Sequence, residues 1–142
     1  ILVGQGGDKN KLKNLVINLN LQNQVIFKDW QTNVGKYYLT SKLLVFPSLY
    51  EGLPNTLIDA LNYSLPSLTT KCSGAEDILS KKYQFFIQSS NAKNLSRKIS
   101  SSIKNYNQIL ISTRNAHKKL NRFLISKQVS KYLNFLTFIS NR

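Results

Sequence analysis

The segment from Leu43 to Asp59 constrains the fold more than any other part of the sequence. It begins with the apolar run Leu43-Leu44-Val45-Phe46, which is typical of a strand that is covered on both faces. A loop with a glycine and a proline follows, and the helical pattern of residues 55–63 comes next. Glu51 lies in that loop and Asp59 on the second turn of the helix, so the two carboxylates flank the start of the helix.

Short apolar runs alternate with helical patterns on both sides of this segment. Strands are expected at 1–3, 25–27, 43–46, 67–70 and 83–87, and helices at 10–19, 34–40, 55–63, 92–105, 109–120 and 126–139. This alternation predicts an α/β fold, a Rossmann-like open parallel sheet with helices on both faces. The length of 142 residues predicts a single domain, 1–142, whose C-terminal part, 91–142, is helical.

The net charge of +14 and the pI of about 10.0 suggest attraction to anionic lipid or to nucleic acid. The basic residues are dispersed, however, except around Lys9–Lys13, Arg114–Arg122 and Lys127–Lys131. This dispersion favours a solvated surface over a membrane-surface module, and either of these over a nucleic-acid partner. No apolar run approaches the roughly 18 residues of a membrane span.

Few residues offer nucleophilic or metal chemistry. The single cysteine, Cys72, cannot form an internal disulfide, which fits a reducing compartment and a cytoplasmic location. It is a poor candidate for a nucleophile, and His117, in a Lys-rich segment, is expected on a helix surface. The sequence also contains no methionine, and we expect it to be a piece of a longer chain.

The loops that follow the strands are the expected binding region, because ligands of open parallel sheets bind at the carboxyl ends of the strands. These loops are Gly4–Gly7, Lys28–Trp30, Pro47–Asn55 and Lys71–Gly74, and we expect them to line one crevice. In the third loop, the free amides near Asn55, Thr56 and Leu57 favour an anion such as a diphosphate.

The two carboxylates suit hydroxyl groups on either side of such an anion. Glu51 can accept hydrogen bonds from a sugar, and Asp59 can accept them from a ribose diol, with charge-assisted strength. The alternative is an exposed turn acid and an ordinary helix-surface aspartate. Spacing alone leaves both interpretations open.

Six motifs stand in order along the chain. They are Leu2-Val3-Gly4-Gln5-Gly6, Val25-Ile26-Phe27, Phe46-Pro47-Ser48 with Glu51-Gly52-Leu53-Pro54, Leu65-Pro66-Ser67, Gly74 with Asp77-Ile78, and Phe123 with Val129, Tyr132 and Leu133. Together they resemble the C-terminal, donor-binding domain of retaining GT-B glycosyltransferases of family 4, also called the glycosyl transferases group 1 domain. The resemblance spans nearly the whole chain.

The resemblance implies a role for each matched position. Glu51 would be the catalytic residue and would contact the donor hexose, Asp59 would hold the ribose, and Lys28, Asp29 and Trp30 would lie near the nucleobase. The implied donor-binding set is Gly4, Gly6, Lys28, Asp29, Trp30, Glu51, Gly52, Leu53, Pro54, Asn55, Thr56 and Asp59.

The chain departs from the family pattern at two positions of this set and at one position outside it. Asp59 stands where the family has a second glutamate, so the carboxylate is one methylene shorter. Asp29 and Ser64 stand where the family usually has glycine. In the stretch that starts at Gly4, Lys9 stands where a Gly-x-Gly-x-x-Gly pattern has its third glycine, which argues against a dinucleotide fold.

The implied parent enzyme transfers a sugar from a nucleoside diphosphate sugar to a glycan or lipid-linked acceptor with retention. Cell-surface polysaccharide or lipopolysaccharide synthesis is the implied setting, with possible attachment to the inner face of the cytoplasmic membrane and without metal or cofactor. The family's diphosphate-neutralising Arg and Lys and its acceptor domain precede the matched region. We therefore expect an N-terminally truncated chain without activity of its own. The alternatives are a degenerate or split fragment and a basic membrane-surface module.

Overall fold

The computed structural model describes residues 1–88 and 91–140. The chain divides into two compact units, Ile1–Lys36 and Tyr37–Arg142. The α/β class with parallel strands and flanking helices, expected from the sequence, is confirmed.

The first unit contains two short parallel strands joined by a helix. Strand β1 (Leu2–Val3) leads into helix α1 (Lys9–Asn18), and strand β2 (Phe27–Lys28) pairs with β1 so that Val3 lies opposite Lys28. Helix α2 (Gly35–Thr40) begins at the end of this unit and continues into the next.

The second unit contains three parallel strands in the order β3-β4-β5 and most of the helices. Its elements are β3 (Leu44–Phe46), α3 (Asn55–Asn62), β4 (Ser67–Thr70), α4 (Ser73–Leu79), β5 (Phe86–Ile87), α5 (Ala92–Lys104), α6 (Tyr106–His117), a 3-10 turn (Leu120–Phe123) and α7 (Ile125–Ser140). The expected helical part 91–142 is therefore helical from Ala92 onwards, with residues 141 and 142 outside the described part.

The core of the second unit forms where α3, α4 and α6 cover the strands. Leu57, Leu61, Leu68, Ile78 and Ile109 are fully buried there. Burial of these apolar side chains is the main force that holds the unit together, at about 1.5–3 kcal/mol for each side chain. Because Leu57 and Leu61 belong to α3, the core fixes the helix that carries Asp59.

A buried tyrosine connects the core to the first residue of β4. The Tyr83 hydroxyl donates a hydrogen bond of 2.5 Å to the carbonyl oxygen of Ser67. Burial raises the pKa of Tyr83, so the phenol stays protonated and keeps this bond at any ordinary pH.

Most elements lie within a few residues of their expected positions, and one helix, α4, was not expected. No helix was expected between the strands at 67–70 and 83–87, where only Lys71–Gly74 was described, as a loop. The helix forms nevertheless, since Ala75, Ile78 and Leu79 are buried on one face. The strand expected at 83–87 is shorter in the structure and begins at Phe86.

Helix α3 ends in a Schellman motif with a serine at the position that favours glycine. The amide of Leu65 donates to the Ala60 carbonyl and that of Ser64 to the Leu61 carbonyl, both at 2.8 Å. Ser64 has a φ of 54°, in the left-handed region. The departure from the family pattern at this position therefore carries backbone strain.

We expect Ser64→Gly to raise the free energy of unfolding by about 0.5–1 kcal/mol. A left-handed conformation costs an L-residue roughly 1–2 kcal/mol, and part of this gain is lost to the greater freedom of glycine in the unfolded chain. Urea unfolding of the two proteins would measure the difference. Ser101→Gly, at an exposed position inside α5, is the matched control and should destabilise the chain. Equal or lower stability of Ser64→Gly would contradict the prediction.

Candidate functional site

The loop after β3 holds Glu51 in a defined place. The Ser48 hydroxyl donates a hydrogen bond of 2.7 Å to a carboxylate oxygen of Glu51. Glu51 is half-buried, so its carboxylate keeps contact with water while its position is restricted. Ser48 belongs to the matched motif, but its contact with Glu51 was not foreseen from the sequence.

The loop runs directly into the positive end of α3. Pro54 is buried and is the N-cap residue, and its side chain makes no capping hydrogen bond to this helix. The Leu57 amide donates to the Pro54 carbonyl at 3.0 Å, so Leu57 is not one of the free donors that the sequence suggested. Asn55 and Thr56 are the first two residues of the helix, so their amides have no acceptor within it, and the helix dipole favours an anion there.

Asp59 is exposed on the second turn of α3, where it was expected. A residue that the sequence did not single out, Tyr38, lies beside it. The Tyr38 hydroxyl is 3.5 Å from the Thr56 carbonyl oxygen, and its ring stacks on Tyr63 with the centroids 5.5 Å apart. Burial raises the pKa of Tyr38, and the Asp59 carboxylate raises it further. Tyr38 therefore supports the helix that presents Asp59.

The loops after β3 and β4 lie at the same edge of the sheet, because Phe46 pairs with Thr69 in parallel register. Gly74, in the first turn of α4, packs against the carbonyl of Gly52. Near this turn, Lys71 and Glu76 form an ion pair of 3.5 Å. Cys72 is partly buried against the hydrophobic core, which supports a packing role for its side chain.

The first unit brings its own two candidate loops together. The Gly4 amide donates to the Lys28 carbonyl at 3.0 Å, and Gly4 has a φ of 136°, which favours glycine. Lys9 forms an ion pair with Asp29, so two of the residues that depart from the sequence patterns are partners. Trp30 is 65% exposed, and Gly6 is also exposed.

The Lys9–Asp29 pair should depend on pH in the acid range. The hydrogen bond from Lys9, together with its charge, lowers the pKa of Asp29. The pair is therefore complete above the ordinary aspartate pKa of about 3.9 and is lost as the pH falls through the lowered pKa of Asp29. Its effect on stability is expected to be small because the Asp29 side chain is exposed.

The predicted site residues thus fall into two sets. Glu51, Gly52, Leu53, Pro54, Asn55, Thr56 and Asp59 form one continuous loop and helix start in the second unit. Gly4, Gly6, Lys28, Asp29 and Trp30 lie in the first unit. Their roles in holding a donor stay predictions.

A groove and a histidine of the second unit include none of the residues of these two sets. A groove of about 670 Å³ is bordered by Ile58 and Asn62 of α3 and by the stretch from His117 to Ser126, and it contains none of the predicted donor residues. His117 is exposed at the end of α6, as expected. Within residues 1–88 and 91–140, no group of three His, Cys, Asp or Glu side chains could hold a metal ion. No helix in this part of the chain is long and apolar enough to span a bilayer.

Comparison with known sequences agrees with the order of motifs. Residues 1–122 match the profile of the family described as Glycosyl transferases group 1. The chain is 48% identical over 80 residues to an uncharacterized glycosyltransferase of Methanocaldococcus jannaschii, an alignment that covers 56% of this chain and 20% of the relative. It is 26% identical over 88 residues to the UDP-Gal:alpha-D-GlcNAc-diphosphoundecaprenol alpha-1,3-galactosyltransferase of Escherichia coli, covering 61% and 23% of the two chains.

Comparison with solved structures agrees with the fold. The chain superimposes on Alr3699/HepE of Anabaena, solved in complex with UDP and glucose, with a TM-score of 0.78 and 21% identity. The match covers 94% of this chain and 39% of that one. The chain spans about a fifth to a quarter of the length of the two glycosyltransferases of Methanocaldococcus jannaschii and Escherichia coli.

Proposed function

The chain belongs to the glycosyl transferases group 1 family, and we propose that it binds the nucleoside diphosphate sugar donor of a glycosyltransferase. The observation that carries this proposal is the start of α3, an uncapped, positively polarised helix end with Glu51 before it and Asp59 after it. A nucleotide sugar has a diphosphate at its centre, which needs hydrogen-bond donors, and hydroxyl groups at both ends, which need acceptors. Along this segment an acceptor, Glu51, is followed by the donors at the start of α3 and then by a second acceptor, Asp59.

The contacts follow from the chemistry of each group. The Asn55 and Thr56 amides would donate to the diphosphate, where the helix dipole adds to the attraction. Glu51, held by Ser48, would accept hydrogen bonds from the sugar, and Asp59 would accept them from the ribose. Both carboxylates would accept these bonds as charged groups, and the bonds would strengthen when the bound nucleotide sugar excludes water.

The finer features of the reaction are proposed by analogy with the family. We infer transfer with retention, as in family 4, with Glu51 stabilising charge at the sugar as the bond to the diphosphate breaks. The acceptor would be a glycan or lipid-linked sugar in cell-surface polysaccharide synthesis. The diphospho-undecaprenol acceptor in the name of the Escherichia coli relative supports this choice.

The chain alone is proposed to bind a donor without transferring its sugar, because the acceptor would be held by other parts of the whole protein. A degenerate fragment would fold in the same way. Glu51, its Ser48 partner and the uncapped α3 start are present in this sequence, which favours retained binding over a remnant.

Hydrogen–deuterium exchange with UDP and GDP tests this proposal. A binding chain should show slower exchange of the amides between Glu51 and Asp59 at millimolar nucleotide, together with a rise in melting temperature. Inorganic phosphate at the same concentration is the control for attraction of any anion to a basic protein. Exchange that is unchanged by both nucleotides would contradict donor binding.

A second candidate function, attachment to an anionic membrane surface, is favoured by the distribution of charge. Residues 1–77 contain 7 basic and 6 acidic residues, whereas residues 78–142 contain 13 basic residues and no acidic one. Helix α7 has no buried residue and exposes Tyr132, Leu133, Phe135 and Phe138. Basic charge next to exposed aromatic side chains suits an anionic bilayer.

Cosedimentation with vesicles separates this attachment from burial of α7 against the rest of a longer protein. The chain should bind vesicles containing 30% phosphatidylglycerol and not vesicles of phosphatidylcholine alone, with weaker binding at higher salt. Phe135→Ser should weaken the binding, whereas Ile103→Ser, at an exposed position of α5, should not. Equal binding of both vesicle types, or of neither, would contradict the attachment.

A further inference from the structure

The first turn of α4 touches the loop of Glu51 at a place where no side chain fits. A Cβ atom added to Gly74 would lie 2.0 Å from the Gly52 carbonyl oxygen, 2.8 Å from the Gly52 carbonyl carbon and 2.9 Å from Cδ of Pro54. Two of these three atoms are backbone, so the contact cannot be relieved by turning a flexible side chain. The only remedy is movement of the loop or of the helix.

The requirement for glycine at residue 74 is one of space. Its backbone has no positive φ, so an alanine there would suffer no conformational strain. The other side of the contact differs, because a Cβ added to Gly52 would meet no atom within 4 Å. The missing side chain of Gly74 is thus the feature that lets the Gly52 carbonyl approach α4.

The position of Gly52 in the chain gives this contact its importance. Gly52 directly follows Glu51, and Pro54, which also touches residue 74, is the N-cap residue of α3. Non-bonded heavy atoms settle at roughly 3.5 Å, so a Cβ at residue 74 would displace the Gly52 carbonyl by about 1 Å or more. Such a shift would carry both Glu51 and the start of α3 with it.

We propose that Gly74 is a positioning residue that sets the Glu51–Pro54 loop against α4 and thereby aligns Glu51 with the start of α3. The proposal rests on the proposed function, donor binding by this loop. Gly74 itself would not touch the donor. Displacement of a binding group by about 1 Å can cost around 100-fold in activity, so a small steric change at this buried position should have a large effect on the site.

The first test measures the loop without any ligand. Gly74→Ala should speed amide exchange between Glu51 and Thr56, whereas Ser73→Ala, on the exposed side of the same turn, should leave it unchanged. Unaltered exchange in a folded Gly74→Ala chain would overturn the positioning role, whatever the chain binds. This outcome does not depend on donor binding. The proposal of donor binding is contradicted only if the unsubstituted chain does not bind UDP.

The second test measures function in the whole protein. Gly74→Ala should raise the KM for the nucleotide sugar at least about tenfold and leave the KM for the acceptor unchanged. A merely structural role would reduce the amount of active enzyme, which lowers kcat without changing either KM. Equal changes in both KM values, or none, would overturn the proposal.

A third variant covers the case in which Gly74→Ala does not fold. One glycine inserted between Tyr50 and Glu51 would let the loop move away from the new methyl group. This insertion should restore folding of Gly74→Ala but not its affinity for UDP. Failure to restore folding would place the clash outside the loop and overturn the proposal.

Discussion

Replacing Glu51 by alanine is expected to lower sugar transfer by the whole protein about 100- to 1000-fold. Loss of one preorganised group that stabilises charge in the transition state typically has an effect of this size. Stability should change little, because Glu51 is half-buried and gives up a single hydrogen bond, from Ser48. Initial rates with a radiolabelled nucleotide sugar and a thermal melt of the same preparation would measure the two effects.

Asp77→Ala is the matched control for this substitution. Asp77 is an exposed carboxylate on α4, so its removal changes the net charge equally without touching the loop. Transfer should be unchanged in this variant. If Glu51→Ala were as active as the control, Glu51 would have no part in the mechanism. Glu51→Gln should fall near Glu51→Ala, because the amide keeps the shape of the side chain and loses its charge.

Replacing Asp59 by alanine is expected to weaken the binding of UDP or GDP about tenfold. A hydrogen bond to a charged acceptor contributes about 1.5–3 kcal/mol, and the exposure of Asp59 places this bond at the lower end of that range. Fluorescence or calorimetric titration of the chain would give the two dissociation constants. The 2′,3′-dideoxy nucleotide should bind both proteins equally, since it lacks the hydroxyl groups that Asp59 would hold.

Asp59→Glu distinguishes a ribose contact from a general effect of charge. The substitution restores the longer carboxylate of the family pattern and leaves the net charge unchanged, so the ordinary nucleotide should bind at least as tightly as it binds the natural chain. A loss of affinity in Asp59→Glu equal to that in Asp59→Ala would contradict the ribose contact.

Much of the fold could be predicted because local patterns and tertiary packing agree. The apolar run at Leu43–Phe46 forms a strand, and the helix expected at 55–63 forms as Asn55–Asn62, since its apolar side faces the core. Helix α4 was missed because its seven residues span less than two turns, too few for a helical spacing of apolar residues to be recognised. The boundary between the two compact units, after Lys36, was also missed, because the composition of the sequence does not change there.

The site was predictable where a role depends on residue type and spacing. Glu51, Asn55, Thr56 and Asp59 could be named because acids and a helix start are visible in the sequence. Tyr38 could not, because its partners come from a different helix and meet it only in the folded chain. The packing of Gly74 against Gly52 is likewise a property of the space between two loops, and no sequence pattern measures a distance.

The absence of acidic residues after Asp77 has a consequence for measurements of affinity. A surface of this kind behaves as a weak ion exchanger, so any polyphosphate will adsorb to it at low ionic strength. Adsorption of this kind falls steeply as salt displaces it, by several orders of magnitude for contacts with many phosphates. Bonds between Asp59 and neutral ribose hydroxyls respond far less to salt. Titration in about 0.3 M salt should therefore leave specific nucleotide binding in place while the excess of phosphate binding disappears.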